Sequence, residues 1–250
     1  MFKIAYFILL IFSISSCEIY RQNVINVPAF EHKGQIQIGL HQSFNGSEAQ
    51  ASLSVTNNIG IFANYCNMGE RRNDYSSLNF SITKHNFSEI GIGLYKMKTN
   101  QSNIIKELFL IGGKGFTSNY VESYGQGTTK IQYKEAAYSK LTLQGDYGIK
   151  KNNFSVLFSP RIFLINYYNI FDTAAIVYRQ TPNSFIRLEV ATTIRYHFNK
   201  YLALSGQICI TVPEYSYLVN DRLYDDFSPI NVSIGLVGNL NFFKVGLKRL

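Results

Sequence analysis

Residues 49–56 read AQASLSVT, and every second position is apolar. Ala49, Ala51, Leu53 and Val55 form the apolar set, and a polar residue follows each of them. Successive side chains of a β-strand point to opposite faces of a sheet, so this period is typical of a strand with one apolar face. Segments of about ten residues with this alternation indicate a strand that faces lipid on one side and a polar lumen on the other.

The same alternation recurs along the rest of the chain from Gly34 onward. Its apolar positions include Ile36, Ile38, Leu40; Ile59, Ile61, Ala63; Leu78, Phe80, Ile82; Ile90, Ile92, Leu94; Leu141, Leu143; Ile186, Leu188, Val190; Leu202, Leu204; Ile208, Ile210, Val212; and Val232, Ile234, Leu236. The pattern predicts an all-β protein with a single antiparallel, transmembrane up-and-down β-barrel over residues 34–243. A short tail, residues 244–250, follows the barrel.

Turn signals divide the barrel into strands. Short turns are predicted at Asn57-Asn58, His85-Asn86, Lys151–Asn153 and Asn199-Lys200, where asparagine tolerates left-handed backbone angles. Longer loops are predicted at Cys66–Asp74, Lys96–Asn103, Asn169–Asn183 and Pro213–Ser228. Short periplasmic turns that alternate with longer outer loops are typical of outer-membrane barrels.

The strand count follows from placing every short turn at the periplasmic end, which requires an even number of strands between successive turns. Four strands then lie between Asn86 and Asn152, including Ile104–Gly112 and Phe116–Tyr124 as separate strands joined by a tight, glycine-rich hairpin. The prediction is about 12 strands. Ten strands are the other count that the pattern allows.

The first 16 residues have the composition of a secretory signal. Lys3 precedes an apolar stretch, Ile4–Phe12, and small polar residues follow it. A permanent helical span needs roughly 20 apolar residues, so this stretch is too short to remain as an anchor. We therefore expect residues 1–16 to be a cleaved signal peptide.

The sequence Ile14-Ser15-Ser16-Cys17 resembles the lipobox of bacterial lipoproteins. This resemblance implies cleavage just before Cys17 and attachment of lipid to that cysteine. Residues 17–33 would then be a lipidated linker that joins the membrane anchor to the barrel. Acyl chains on Cys17 would make outer-membrane lipids the first partner of the protein.

The alternating segment that ends in Asn241-Phe242-Phe243 resembles the C-terminal β-signal of outer-membrane proteins, although residues 244–250 extend beyond it. The mature chain as a whole resembles small outer-membrane β-barrel families of Gram-negative bacteria, in particular barrel-like lipoproteins. In these, an extended Pro-containing segment (here Val27–Phe30) and a Lys-Gly pair (here Lys33-Gly34) precede the first strand. The resemblance implies location in the cell outer membrane, but it implies no activity.

The net charge of +8 is scattered along the chain rather than concentrated on one element. Its clusters are Arg71-Arg72, Lys150-Lys151 and Lys248-Arg249. A nucleic-acid-binding protein would gather its basic residues on one face, so we expect no nucleic-acid partner. No spacing of His, Cys or acidic residues suggests a metal site, no phosphate-loop pattern is complete, and no cofactor is predicted.

Charged residues on the polar face of two predicted strands should project together into the lumen. Arg187, Glu189, Arg195 and His197 alternate with apolar residues on one strand, and Lys140 and Asp146 do so on another. Such a set forms a charged constriction that selects solutes, or it fills a narrow barrel through opposite-charge pairs. The sequence leaves both interpretations open.

The favoured function is a non-enzymatic outer-membrane barrel, either a narrow passive channel or a structural, surface-interaction protein. In the second case, loops such as Met68–Asp74 and Glu214–Phe227 would meet external partners; small solutes would be the partners of a channel. One alternative is an envelope lipid hydrolase that uses His41 and Ser43, a His-x-Ser spacing found in outer-membrane phospholipases. Both residues, however, share the polar face of their strand, whereas those enzymes place the pair on the lipid face.

A further alternative is a lipid-tethered soluble β-barrel binding protein, in which the apolar faces would pack inward.

The other two cysteines, Cys66 and Cys209, fall on strands that are far apart around the predicted barrel. A disulfide needs Cα atoms within about 6.8 Å, so we expect no bond between them.

Overall fold

The structure is a computed structural model that describes residues 22–74, 79–98, 103–125, 128–173, 177–179, 183–212 and 230–241. The strands in these ranges are β1 Gln35–Ser43, β2 Gly46–Ser54, β3 Ile59–Asp74, β4 Asn79–Lys98, β5 Asn103–Gly125, β6 Thr128–Lys151, β7 Phe154–Asp172, β8 Val177–Arg179, β9 Asn183–His197, β10 Leu202–Val212 and β11 Ile230–Asn241. Over the described part of the chain, no helix is long and apolar enough to cross a bilayer.

The strands form one closed antiparallel barrel. Each strand from β1 to β7 pairs with the next, β7 pairs with β9, and β9, β10 and β11 continue the wall until β11 pairs with β1. The three-residue β8 pairs with the same edge of β7 as β9 does, so the wall has ten strands. The predicted all-β, antiparallel up-and-down barrel is confirmed, with the smaller of the two strand counts.

The predicted turn at His85-Asn86 is wrong, because β4 runs unbroken through both residues. Asn86 points outward and His85 points inward, where its Nε2 lies 2.6 Å from the Tyr138 hydroxyl. Below them the outer face of β4 is apolar at Ile90 and Ile92. The strand leaves the apolar band at this point. Its outward residues become polar there, so the local sequence has the composition of a turn although the strand continues.

The predicted hairpin at residues 112–115 is also wrong, because β5 continues through all four. A Cβ atom at Gly113 would lie 2.7 Å from the Phe87 ring, and one at Gly115 would lie 2.2 Å from the Tyr138 ring. Glycine is therefore needed here so that aromatic rings from the two neighbouring strands can lie against the β5 backbone. These two corrections reduce the predicted 12 strands to ten.

The two ends of the barrel differ. β2–β3, β4–β5, β6–β7 and β9–β10 connect at one end, which also holds the start of β1 and the finish of β11; we call it the turn end. Of the predicted loop Lys96–Asn103, residues 96–98 end β4 and Asn103 begins β5, at this end rather than at the opposite, loop end, because β4 is one strand instead of two; residues 99–102 lie outside the described residues. The predicted loop Cys66–Asp74 is wrong as well, since these residues belong to β3. The predicted loop at 213–228 lies outside the described residues.

The outer surface carries the alternating apolar side chains. Ile90, Leu94 and Leu110 are 70%, 60% and 54% exposed, and on β5 the apolar stretch lies between the outward residues Lys106 and Lys114. Exposed aromatic residues lie toward both edges of this band: Tyr147, Phe154, Phe198 and Tyr201 at the turn end, and Tyr65 and Phe116 toward the loop end. An apolar band between aromatic girdles is the surface of a barrel that spans a bilayer. The soluble alternative requires the apolar faces to pack inward, and in the structure they face outward.

The wall is uneven in height. β1 and β2 have 9 residues each, whereas β5 and β6 have 23 and 24. The long strands continue beyond the apolar band at the loop end. The barrel is therefore low on the β1–β2 side and tall on the β4–β7 side.

Candidate functional site in the barrel lumen

The lumen is occupied by the chain's own residues 22–30, which we call the lumen segment. Every residue of it is buried. At the loop end, the Gln22 carbonyl oxygen accepts hydrogen bonds from the side-chain amides of Asn45 (3.1 Å) and Asn231 (3.3 Å). At the turn end, the Phe30 ring lies against Gly60. The part of the predicted 17–33 linker that the structure describes thus begins inside the barrel; Cys17 and the signal peptide lie outside the described residues.

Side chains of the wall hold the main chain in the upper half of the lumen segment. Val24 N–H donates to Glu48 Oε1 at 2.5 Å, and the Gln50 side-chain amide donates to the Val24 oxygen at 3.1 Å. Gln207 accepts from Ile25 N–H at 2.8 Å and donates to the Ile25 oxygen at 2.9 Å. One glutamine side chain therefore satisfies both main-chain groups of Ile25, as a neighbouring strand would.

The lower half is held in the same way. Gln144 donates to the Asn26 oxygen at 2.8 Å, and Arg195 donates to the Val27 oxygen. The Glu107 carboxyl group accepts from the N–H groups of Ala29 (3.1 Å) and Phe30 (2.8 Å).

Ala29 has an unusual backbone conformation, with a φ of 53°. The left-handed region is unfavourable for a residue with a Cβ atom, by about 1–2 kcal/mol. In this conformation, two successive N–H groups reach the same Glu107 carboxyl group. The hydrogen bonds to Glu107 offset the unfavourable backbone angle.

The polar side chains of the lumen segment have partners on the wall. Asn23 donates to Glu89 at 3.1 Å and accepts from Lys140 (3.3 Å) and Arg161 (3.0 Å). Asn26 donates to the Asn64 side-chain oxygen at 2.7 Å and accepts from Ser52 at 3.3 Å. These contacts fix the register of the segment in the lumen.

Its apolar side chains bury against two apolar patches on the inner wall. Ile25, Val27 and Ala29 cluster with Ile105, Leu157, Ala191 and Cys209. Phe30 clusters with Phe62, Tyr95, Phe109 and Ile111, and its ring centroid lies 5.1 Å from that of Tyr95. The lumen segment thus completes both patches and helps to exclude water from them.

The upper part of the lumen contains a separate aromatic cluster. It consists of Cys66, Phe87, Ala136, Tyr138, Phe163, Ile165, Tyr167, Ile170 and Phe185. The Tyr138 ring packs 5.7 Å from Phe87 and 5.6 Å from Tyr167. The tall side of the barrel therefore has a packed interior of its own.

Buried charges of opposite sign are balanced among the described residues. Glu48, Glu89, Glu107, Asp146 and Glu189 are buried, and so are Lys134, Lys140, Arg161, Arg187 and Arg195. Arg161 and Glu189 form an ion pair, and Lys140 lies 3.9 Å from Glu89 and above the Phe87 and Phe163 rings. A buried charge needs such partners, because leaving it alone in a low-dielectric interior is strongly unfavourable.

The residues predicted to line a pore occupy two places. Lys140, Asp146, Arg187, Glu189 and Arg195 are buried inside the wall. His197 is half-buried at the turn end, where its Nε2 lies 3.2 Å from the Ser155 hydroxyl. Lys140 and Arg195 donate hydrogen bonds to the lumen segment, and Glu189 forms an ion pair with Arg161.

A cavity of about 550 Å³ opens at the turn end, below Ala29. Its lining includes Glu31, Lys150, Arg195 and His197, and Lys150 forms an ion pair with Glu31. Above the cavity, the lumen segment and its partners fill the barrel. Among the described residues, this cavity opens at the turn end, and residues 22–30 occupy the lumen above it.

The structure does not bring His41 and Ser43 together as a catalytic pair. The Ser43 hydroxyl donates to the Gly46 oxygen and accepts from Asn45 N–H, both at 3.1 Å, inside the β1–β2 hairpin. Neither ring nitrogen of His41 has a hydrogen-bond partner in the described ranges. Cys66 and Cys209 are buried free thiols, and no three His, Cys, Asp or Glu side chains of the described residues form a metal-binding group.

Sequence reasoning missed the lumen segment. Its own residues carry little signal, because asparagine, glutamine and aliphatic residues follow one another without a clear period. A signal does exist on the wall, where inward positions hold Phe62, Phe87 and Phe109. Aromatic side chains on the inner face indicate an interior that is filled rather than open to water.

No protein-family model matches the chain, and no curated protein matches it. Solved structures with a similar fold include the translocator domain of the autotransporter NalP from Neisseria meningitidis (11% identity, 83% of this chain and 86% of that chain, TM-score 0.49). Others are the KdgM porin in complex with disordered oligogalacturonate (10% identity, 82% and 98%, TM-score 0.32) and CarO from Acinetobacter baumannii (9% identity, 84% and 97%, TM-score 0.30). Likenesses at this level assign no functional residue to this chain.

Proposed function

We propose that this protein is a non-enzymatic β-barrel lipoprotein of the cell outer membrane, with lipid on Cys17 and a lumen closed by its own residues 22–30. It acts as a structural or surface-interaction protein rather than as a passive channel. The observation that carries this proposal is the lumen segment, whose main chain is hydrogen-bonded to side chains of the wall from one end of the barrel to the other.

The packing inside the wall favours closure over conduction. A water-filled pore has a polar lining, whereas two apolar patches and an aromatic cluster lie inside this barrel. The charges predicted to form a selective constriction contact Asn23 and Val27 of the lumen segment instead of an open path. These charged side chains therefore hold the lumen segment in place inside the barrel.

Location and partners follow from the outer surface and the N-terminal sequence. The apolar band supports outer-membrane lipids as the surroundings of the wall, and the lipobox resemblance supports an acyl anchor on Cys17. β3 and β4 remain paired up to Asp74 and Asn79, beyond the apolar band. This raised hairpin, together with residues 214–227, is the proposed contact region for external partners.

Conductance in a planar lipid bilayer tests the proposal. The intact chain should give no steady openings, because the lumen segment blocks the path. A variant with residues 22–30 replaced by nine alternating Gly and Ser residues should open, with little preference between cations and anions, because the buried charges of the wall are balanced.

The control for that experiment is gel migration with and without boiling, which reports whether the wall is closed in both proteins. Steady openings in the intact, properly folded chain would contradict the proposed closure and restore the passive channel as the better interpretation. Release of fatty acid from phospholipid by the purified chain, lost in Ser43→Ala, would instead support the hydrolase.

A further inference from the structure

The wall recognises the lumen segment largely through its backbone. Side chains of Glu48, Gln50 and Gln207 hold both main-chain polar groups of two consecutive residues, Val24 and Ile25. Three more wall side chains hold main-chain groups nearer the turn end. Every peptide carries these N–H and C=O groups, so this part of the site is complementary to an extended chain in general.

The apolar patches add a preference for particular side chains. Ile25 and Val27 enter one patch, and Phe30 enters the other. A Cβ atom at Gly60 would lie 2.2 Å from the Phe30 ring, so the glycine leaves the space that the ring occupies. The site therefore selects apolar side chains at these three positions.

The lumen segment is not a strand of the barrel. It is joined to the wall through residues 31–34, and its described residues pair with no strand of the sheet. The barrel closes through the β6–β7 and β1–β11 pairs, which the segment does not form. The site is thus built by the wall, and the segment is its occupant.

We propose that the lumen is a binding site for an extended peptide supplied by another molecule, with the resident segment as its intramolecular ligand. The peptide would span the length of residues 22–30, carry apolar side chains where Ile25, Val27 and Phe30 lie, and run from the loop end toward the turn end. This inference rests on the proposed closure of the lumen by that segment.

The covalent link explains why the resident segment holds the site. A ligand tethered by a short connection is present at an effective concentration on the order of millimolar. A free peptide competes only when this advantage is removed. Cutting the connection at residues 31–34 in a Cys17→Ala chain, in which no acyl anchor retains the cut piece, removes this advantage without changing any contact inside the lumen.

The experiment uses the full Cys17→Ala chain with a protease recognition sequence inserted between His32 and Lys33, which are both exposed. After cutting in detergent, a fluorescent synthetic peptide of residues 22–31 is added and its anisotropy is measured. The peptide should bind the cut chain saturably and should not bind the uncut chain. N-methylation of the Ile25 amide should weaken binding about tenfold, the equivalent of roughly one hydrogen bond to Gln207.

A peptide N-methylated at Val27 is the matched control, because the Val27 N–H has no hydrogen-bond partner among the described residues. It should bind nearly as well as the unmodified peptide. Equal weakening by both methyl groups would show steric exclusion and overturn backbone recognition.

Two further results would overturn the proposal. The first is a cut barrel that keeps its folded gel migration but takes up no peptide. The second is a barrel that unfolds when cut, since the proposal requires a wall that stands without the link. Neither bears on the closed lumen of the uncut chain, which the conductance measurement tests separately.

Discussion

Gly115 and Gly112 lie on the same strand, yet they have opposite surroundings. Gly115 lies under the Tyr138 ring, whose hydroxyl is hydrogen-bonded to His85 at 2.6 Å, and so belongs to the packing of the upper lumen. An added Cβ atom at Gly112 would meet no atom within 4 Å. The same residue type therefore has a packing role at one site and none at the other.

Gly115→Ala should destabilise the barrel by about 1–3 kcal/mol, the usual effect of overfilling a packed interior. Gly112→Ala should be neutral or stabilising by up to about 1 kcal/mol, because alanine loses less backbone entropy than glycine. Urea unfolding in lipid vesicles, followed by far-UV circular dichroism because the chain has no tryptophan, measures both. Equal effects of the two changes would contradict the packing described for Tyr138.

At the scale of the element, β4 shows how a strand crosses from lipid to water. Its outward residues are apolar at Ile90, Ile92 and Leu94 and polar at Lys84 and Asn86. All of them alternate with inward residues in one unbroken ladder with β3 and β5. The hydrogen-bonded ladder of β4 is continuous, and only the medium around its outer face changes, from lipid to water.

Ile92→Arg should destabilise the barrel by about 2–4 kcal/mol, since a charged side chain near the middle of the lipid face is unfavourable. Asn86→Arg, on the same face of the same strand but above the apolar band, is the matched control and should have little effect. Both are measured by urea unfolding in phosphatidylcholine vesicles. An Ile92→Arg variant as stable as the Asn86→Arg variant would refute the placement of this surface in a bilayer.

The alternation predicted the elements well and the connections less well. Two-residue periodicity located most of the outward apolar faces, because lipid on one side imposes it residue by residue, but it did not identify those of β5 and β7, such as Leu110 and Ile162. It could not distinguish a turn from a strand that continues above the membrane, as at His85 and Asn86. That one misplaced turn reversed the assignment of Lys96–Asn103 from the turn end to the loop end.

At the scale of the whole molecule, the prediction of a barrel held, whereas the contents of the lumen were not predicted. Counting alternate residues places Arg195 on an inward face, but it does not place Glu107, which lies in a segment that is apolar in both registers. Their partners, Val27, Ala29 and Phe30, lie at least 77 positions away along the chain. Local patterns do not report contacts at such separation, so the identity of the segment that occupies the lumen follows from the structure alone.

The orientation of the barrel leads to a labelling prediction. All four connections at the turn end have four residues or fewer, whereas the long connections after β7 and β10 lie at the loop end, so Lys84 should face outside the cell and Lys200 the periplasm. In intact cells, a membrane-impermeant maleimide should react with Lys84→Cys, and with Lys200→Cys only after the outer membrane is permeabilised.

The parent chain is the control for that labelling, because Cys66 and Cys209 are each only 1% exposed and should stay unreactive. If only Lys200→Cys reacted in intact cells, the barrel would have the opposite orientation in the membrane. The predicted external contact region would then face the periplasm.

The path of the lumen segment constrains how the protein assembles. The segment starts near Asn45 and Asn231 at the loop end, descends the whole lumen, and only then turns into β1. The first and last strands form a seam of the wall, and residues 22–30 lie buried inside the wall that this seam closes. Assembly must therefore achieve two things, the pairing of β1 with β11 and the passage of residues 22–30 through the length of the lumen.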